Sequence, residues 1–145
     1  MPAEPLPIAL ELPRGSVPVA SLVNHQAGDV VREVLRRRSV PCPVDLPEDL
    51  IVALVIVGPR QVSRTVRISE RTLRRHFVRG GSTVTAFAGQ VRLEAARELF
   101  SRGWDTDRAA AAFGYSGAAA FRRFLRQRSG QGVWSLRRGV EGDPD

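Results

Sequence analysis

Residues 69–87 of this chain recur, with changes, at residues 117–136. Ser69-x3-Leu73-x-Arg75-x-Phe77 maps onto Gly117-x3-Phe121-x-Arg123-x-Leu125; after a slip of one residue, Gly81-x2-Val84-x2-Phe87 maps onto Gly130-x2-Val133-x2-Leu136. Self-similarity at such a short period marks a supersecondary unit used twice. The punctuation around each copy predicts helices. Pro59 opens a short helix to about Val66, a turn holds Arg67 and Ile68, and Ser69 caps a second helix to about Arg79, stopped by Gly80 and Gly81. Thr83 caps a longer helix at 84–102, in which Phe87, Val91, Ala95 and Leu99 recur every fourth residue, and Gly103 ends it. Asp105 or Thr106 caps a short helix at 107–113, Gly114 turns the chain, and a further helix runs over 117–128 to Gly130, with a last turn or two at 133–138. Upstream, the apolar run Leu50 to Val57 has no decisive period. Pro47 followed by two acids, and then Gly58, are helix start and stop signals, and no partner strand is evident nearby. The expected class is all-α. Each copy reads as short helix, tight turn, arginine-rich helix, glycine and packing helix, which is a helix-turn-helix unit.

Charge falls on the same elements. All 22 basic residues are arginine, against 15 acids, for a formal net charge of +7. Residues 60–79 hold seven arginines and one acid, and 122–138 hold six arginines and no acid, so each segment carries +6. Residues 1–59 sum to −2, 80–121 to zero and 139–145 to −3. Guanidinium is planar and matches phosphate and guanine with two parallel hydrogen bonds. Two separated basic segments are the footprint of a nucleic-acid binder, the plain alternative being a solvated face. In a helix-turn-helix unit the second helix enters the major groove and the first crosses the backbone.

Eight of the ten prolines lie within the first 47 residues, so 1–45 reads as a Pro-rich arm carrying one amphipathic helix at about 19–38. The single cysteine, Cys42, excludes an internal disulfide and any multi-cysteine zinc site. No apolar run approaches the roughly 18–20 residues of a membrane span. The N-terminus lacks the basic and apolar blocks of a signal peptide, so a cytoplasmic protein is expected.

At this level of detail the chain resembles the AraC/XylS transcription regulators, whose DNA-binding domain holds two helix-turn-helix subdomains joined by a long helix. SERTLRRHF is similar to the family's S-x3-L-x-R-x-F, and RLEAARELF to its linker helix R-L-x2-A-x2-L-L. AAAAFGYSGAAAFRRFLRQRSGQGVWSLR is similar to I-A-x3-G-F-x-S-x3-F-x-R-x-F-x4-G-x-T-P-x2-Y-R. Ala109 stands where the family has isoleucine, Gly117 for the capping serine, Val133 for proline and Leu136 for tyrosine, and the stretch from Phe77 to Gly81 is one residue short. The resemblance implies a DNA-binding domain at 46–138, with a first unit at about 46–82, a linker helix at about 83–102, a second unit at about 104–138 and an acidic tail at 139–145. It implies base reading by Arg71, Arg74 and Arg75 in the first unit, and base or backbone contact by Ala118, Ala119, Arg122 and Arg123 in the second. Arg64, Arg67, His76, Arg79, Arg126 and Arg128 are assigned to phosphates. Arginine can take guanine O6 and N7 together, whereas an alanine offers only a methyl contact to thymine; the first unit is therefore expected to supply most specificity and the second to clamp the backbone.

The remaining candidates have plain readings. His76 has no second ligand in reach for a metal, Cys42 is a linker residue, and Trp104 and Trp134 are expected in packing. The acids Glu48, Asp49, Asp105 and Asp107 sit at helix starts, where the dipole favours them, so they form no catalytic dyad. No enzyme, cofactor or metal is expected. Double-stranded DNA is the expected partner, with RNA polymerase as a further one, no membrane, and a monomer-competent protein that the arm could dimerise. The competing classes are a nucleic-acid binder without sequence choice and a protein-interaction module derived from a regulator.

Overall fold

Side-chain caps set where several helices begin. The computed structural model of the chain describes residues 8–9, 25–37, 40–132 and 136. They form β1 (Ile8–Ala9), α1 (His25–Arg36), β2 (Val44–Asp45), α2 (Glu48–Val66), α3 (Glu70–Arg79), α4 (Val84–Ser101), α5 (Thr106–Ala112) and α6 (Ala118–Ser129). Ser69 Oγ accepts from the Thr72 amide at 3.0 Å, Thr83 Oγ1 from Ala86 at 2.9 Å and Asp105 Oδ1 from Arg108 at 2.7 Å. Each such bond satisfies one of the orphan amides of a first helical turn, worth about 1 kcal/mol. Gly117, which replaces the serine in the second copy, gives α6 no side-chain cap. The protein is mostly helical; the one sheet among the described residues is a two-residue parallel bridge pairing Ile8 with Val44 and Ala9 with Asp45.

The ambiguous apolar run is helical. α2 begins at the acids Glu48 and Asp49 and breaks at Gly58, whose φ of 88° and ψ of 169° are open to glycine and costly for other residues. Pro59 then starts a second limb, as its fixed φ and missing N–H suit a first helical turn. In the first limb Val52, Ala53, Leu54, Val55 and Ile56 are all buried, because α1 covers one side and α4 another.

The break leaves a debt. Pro59 has no N–H to give to the carbonyl four residues back, that of Val55. Arg92, on α4, fills the gap: Nε donates to the Val55 oxygen at 3.0 Å and Nη2 at 2.5 Å, while Nη1 donates to the Tyr115 hydroxyl at 3.0 Å. The same guanidinium lies 5.2 Å from the Phe124 ring centre. One side chain thus ties α2, α4 and the approach to α6 together. Arg92→Met keeps the aliphatic stem and orphans the carbonyl, and is expected to cost about 1–2 kcal/mol in urea unfolding.

Helix α4 is the axis of the fold. On one side Phe87 meets Phe77 of α3, with ring centres 5.7 Å apart. On the other, Phe100 meets Phe121 of α6 at 6.4 Å, within a cluster that includes Phe113, Tyr115 and Phe124. The apolar members of the repeat occupy equivalent places: Leu73 and Phe77 in α3, and Phe121 and Leu125 in α6, are the buried residues of their helices. Of the segment expected at 133–138, Leu136 is described; it is buried and its amide donates to Gly132 O at 3.1 Å. Residues 133–135 and 137–138, and the acidic tail 139–145, lie outside the described residues.

The amphipathic helix expected within the Pro-rich arm is α1, and it packs on the core. Its Ala27, Gly28, Val30, Val31 and Val34 are buried against α4 and α2. Burial of four apolar side chains, at about 1.5–3 kcal/mol for each fully buried valine, makes this helix part of the core. Residues 19–24 and 38 of the helix expected at 19–38 lie outside the described residues.

Candidate nucleic-acid interface

Two helices present arginine to solvent on the face opposite their buried residues. In α3, Leu73 and Phe77 point into the core, while Arg71, Arg74, Arg75, Val78 and Arg79 are exposed. In α6, Phe121 and Leu125 point inward, while Ala119, Arg122, Arg123 and Arg126 are exposed and Ala118 is half-buried. Arg74 Nη2 pairs with Glu70 at 2.9 Å, one helical turn away. Among the described residues, Arg71, Arg75, Arg79, Arg122, Arg123 and Arg126 are held by no carboxylate. Both helices can therefore offer charge to an anion without first breaking many bonds.

The other sequence-assigned residues divide. Arg64 is exposed on the second limb of α2. Arg67 is exposed in the turn before α3, where its φ of 59° makes it the one non-glycine residue with positive φ among those described. His76 is half-buried, its Nδ1 2.9 Å from the Thr72 carbonyl, which leaves Nε2 as the nitrogen free to meet a phosphate. Arg128 is exposed and also serves the packing of α6. Its Nη2 donates to Ala86 O on α4 at 2.6 Å, and its guanidinium lies across Gly89, so close that a Cβ there would be 3.3 Å from Cζ. The residue assigned to phosphate is an anchor of α6 on α4, made possible by a glycine whose partner no local pattern could reveal.

The remaining ion pairs gather around α1. Arg32 meets Glu48 at 2.9 Å and also Asp49; Arg36 meets Glu48 at 3.4 Å; Arg37 meets Glu98 at 3.4 Å; and Arg102 bridges Glu33 at 2.5 Å and Glu98 at 3.5 Å. The hydrogen bonds it donates to Glu48, and then to Asp49, hold the Arg32 guanidinium charged more firmly than usual. Trp104 is buried, as expected, with the Arg108 guanidinium 3.8 Å from its ring centre, and Arg108 also reaches Gln26 of α1 at 3.0 Å. Trp134 lies outside the described residues. Burial pushes the Cys42 thiol upward, and it donates to Val44 O at 3.2 Å, the state of an unreactive packing residue. No group of three or more potential metal ligands occurs among the described residues. No described helix is long and apolar enough to cross a membrane.

A family model described as a helix-turn-helix domain matches residues 62–138, more than half of the chain. The chain belongs to the AraC-type helix-turn-helix family. No curated protein and no solved structure matches it. Membership of the AraC type makes DNA the partner of the chain and transcription regulation its role. The matched span opens at Val62, in the second limb of α2, and so takes in α3 to α6 while leaving α1 outside. The arginines of α1, Arg32 and Arg36, pair with the acids at the start of α2.

Proposed function

We propose that this AraC-type protein is a sequence-specific regulator of transcription, built of two helix-turn-helix units, that sets α3 and α6 in successive major grooves as a single copy. The observation that carries the reading is the division of its arginines. Those around α1 are neutralised by Glu33, Glu48, Asp49 and Glu98, whereas those on α3 and α6 stand largely unpaired. A face of free guanidinium ions repels itself unless an anion covers it. The α4 helix, 18 residues and hence about 27 Å long, is of the order of the roughly 34 Å between successive major grooves.

In this reading Arg71, Arg74 and Arg75 read bases, Arg71 and Arg75 without competition and Arg74 after exchanging Glu70. Arg122 and Arg123, with the small Ala118 and Ala119, allow α6 a close approach to the groove at less sequence choice. Arg64, Arg67, His76, Arg79 and Arg126 take phosphates. RNA polymerase is the further partner that the family implies; the reading assigns no catalytic step and no cofactor.

Selection from a random duplex pool, followed by affinities at several salt concentrations, tests this. The expected result is a consensus of two blocks about ten base pairs apart. Arg71→Ala is expected to relax preference in one block, at a cost of about 1–3 kcal/mol for the preferred base. Arg126→Ala should weaken all sequences alike and flatten the salt slope by about one unit. Binding with a steep salt slope and no consensus would favour a binder without sequence choice. Absence of binding would overturn the DNA reading.

A further inference from the structure

Among the described residues one large apolar side chain stands out in solvent: Val78, which is 62% exposed. It lies in the last turn of α3, on the face that carries the arginines. Seven residues separate it from Arg71, two turns that return it to within about 20° of that arginine around the axis. Arg74 and Arg75 lie one turn before it, so Arg71, Arg74, Arg75 and Val78 form one stripe, with Arg79 beside it. Every other exposed position from Arg71 to Arg79 is arginine. A valine among guanidinium groups makes no apolar patch, and a protein partner would find too little there to bury. In a major groove the same position meets the one apolar group that base edges offer, the 5-methyl of thymine.

We infer that Val78 is a specificity-determining residue that selects thymine through its 5-methyl group, adjacent to the bases read by Arg74 and Arg75. The inference rests on the proposed sequence-specific binding and names part of its target. Val78 lies three residues from Arg75 and four from Arg74, about 4.5 and 6 Å along the axis. With about 3.4 Å between base pairs along each strand, the thymine falls one or two steps from a guanine held by either arginine. The branched side chain suits this use. Valine has a single χ1 and a strong rotamer preference, so little freedom is lost when its methyls are pressed against a base.

The test uses the full chain and the duplex recovered by selection. Each thymine near the first block is replaced in turn by deoxyuridine, which removes the methyl and keeps the pairing, and the affinity of the parent protein and of Val78→Ala is measured on each duplex. The expected result is one thymine whose replacement weakens the parent about three- to fivefold, the worth of one buried methyl, and weakens Val78→Ala, which keeps a single methyl further from the base, markedly less. Because Val78 is exposed, Val78→Ala should keep the parent's unfolding midpoint, so a loss of binding is not a loss of fold. A consensus in which no thymine shows this dependence on Val78 overturns the inference and leaves the proposed function standing. A pool that yields no consensus overturns both.

Discussion

Phe121→Ala is expected to cost about 3–5 kcal/mol, the largest effect of any single truncation on this fold. Phe121 is fully buried, and its ring centre lies 5.2 Å from that of Tyr115, 5.9 Å from Phe113, 6.4 Å from Phe100 and 6.5 Å from Phe124. Those four rings come from α4, from the α5–α6 connection and from α6 itself, so removing the phenyl group opens a cavity where three elements meet. Against a total stability of about 5–15 kcal/mol, the loss leaves α6 without a fixed seat, and DNA binding should fall with it. The repeat supplies the control. Leu73 holds the equivalent place in the first copy and is just as buried, so an α3-like seat functions with leucine. Phe121→Leu is accordingly expected to cost about 1–2 kcal/mol and to retain binding. Urea unfolding with an unchanged slope reads both values, and a Phe121→Ala midpoint close to that of the parent would refute the placement of this ring at the centre of the second half.

What the residues disclosed in advance follows from the range of the interactions involved. Caps act over three residues, so Ser69 and Thr83 could be assigned by inspection and the third cap narrowed to Asp105 or Thr106, of which Asp105 makes the bond. The break at Gly58 and the restart at Pro59 are equally local, since glycine permits a positive φ and proline supplies the next turn. The fate of the Val55 carbonyl was not legible. Proline's missing donor announces that some acceptor is orphaned, but Arg92, 37 residues on, is identified by the fold alone. The helix at α1 was read, but its docking was not, for the same reason. Its apolar stripe was visible; the surfaces of α2 and α4 that receive it were not, and the surrounding prolines gave the segment the look of an arm.

The candidate interface shows a similar division. That the arginines gather in two segments is a property of the chain, and the exposed faces of α3 and α6 fall within those segments. Which arginines remain available is a property of pairing. Arg128 satisfies every sequence criterion for a phosphate contact, and its Nη2 is engaged by Ala86 O over Gly89. Arg74 meets Glu70 through an i,i+4 spacing that the sequence did contain. Val78 went unremarked because a single valine in a helix of arginines reads as filler until its burial is known.

Gly80→Ala is expected to be the second costly substitution, at about 1–3 kcal/mol or more, for a reason unlike that of most helix-ending glycines. Its φ of −80° and ψ of 0° are open to any residue, so no backbone strain is at issue. On conformational grounds alone, alanine would stabilise the chain by about 0.4–1 kcal/mol through the unfolded state. The obstacle is Pro43: a Cβ on residue 80 would lie 2.5 Å from its carbonyl oxygen and 2.7 Å from its Cβ. Neither atom can swing away as a long side chain would, so the segment before β2 must move off the end of α3. Movement there strains Val44, which is buried and paired with Ile8, and weakens the support behind the last turn of α3, from which Arg79 projects. Hydrogen exchange is therefore expected to quicken at the amides of residues 44–46 and 78–82 together, while those of α6 keep their protection. Gly81→Ala separates the two causes, because residue 81 has a φ of 92° but nothing within 4 Å of the added Cβ. That variant should lose stability through backbone strain without loosening residues 44–46, and equal exchange patterns in the two variants would show that the contact with Pro43 is not what fixes glycine at position 80.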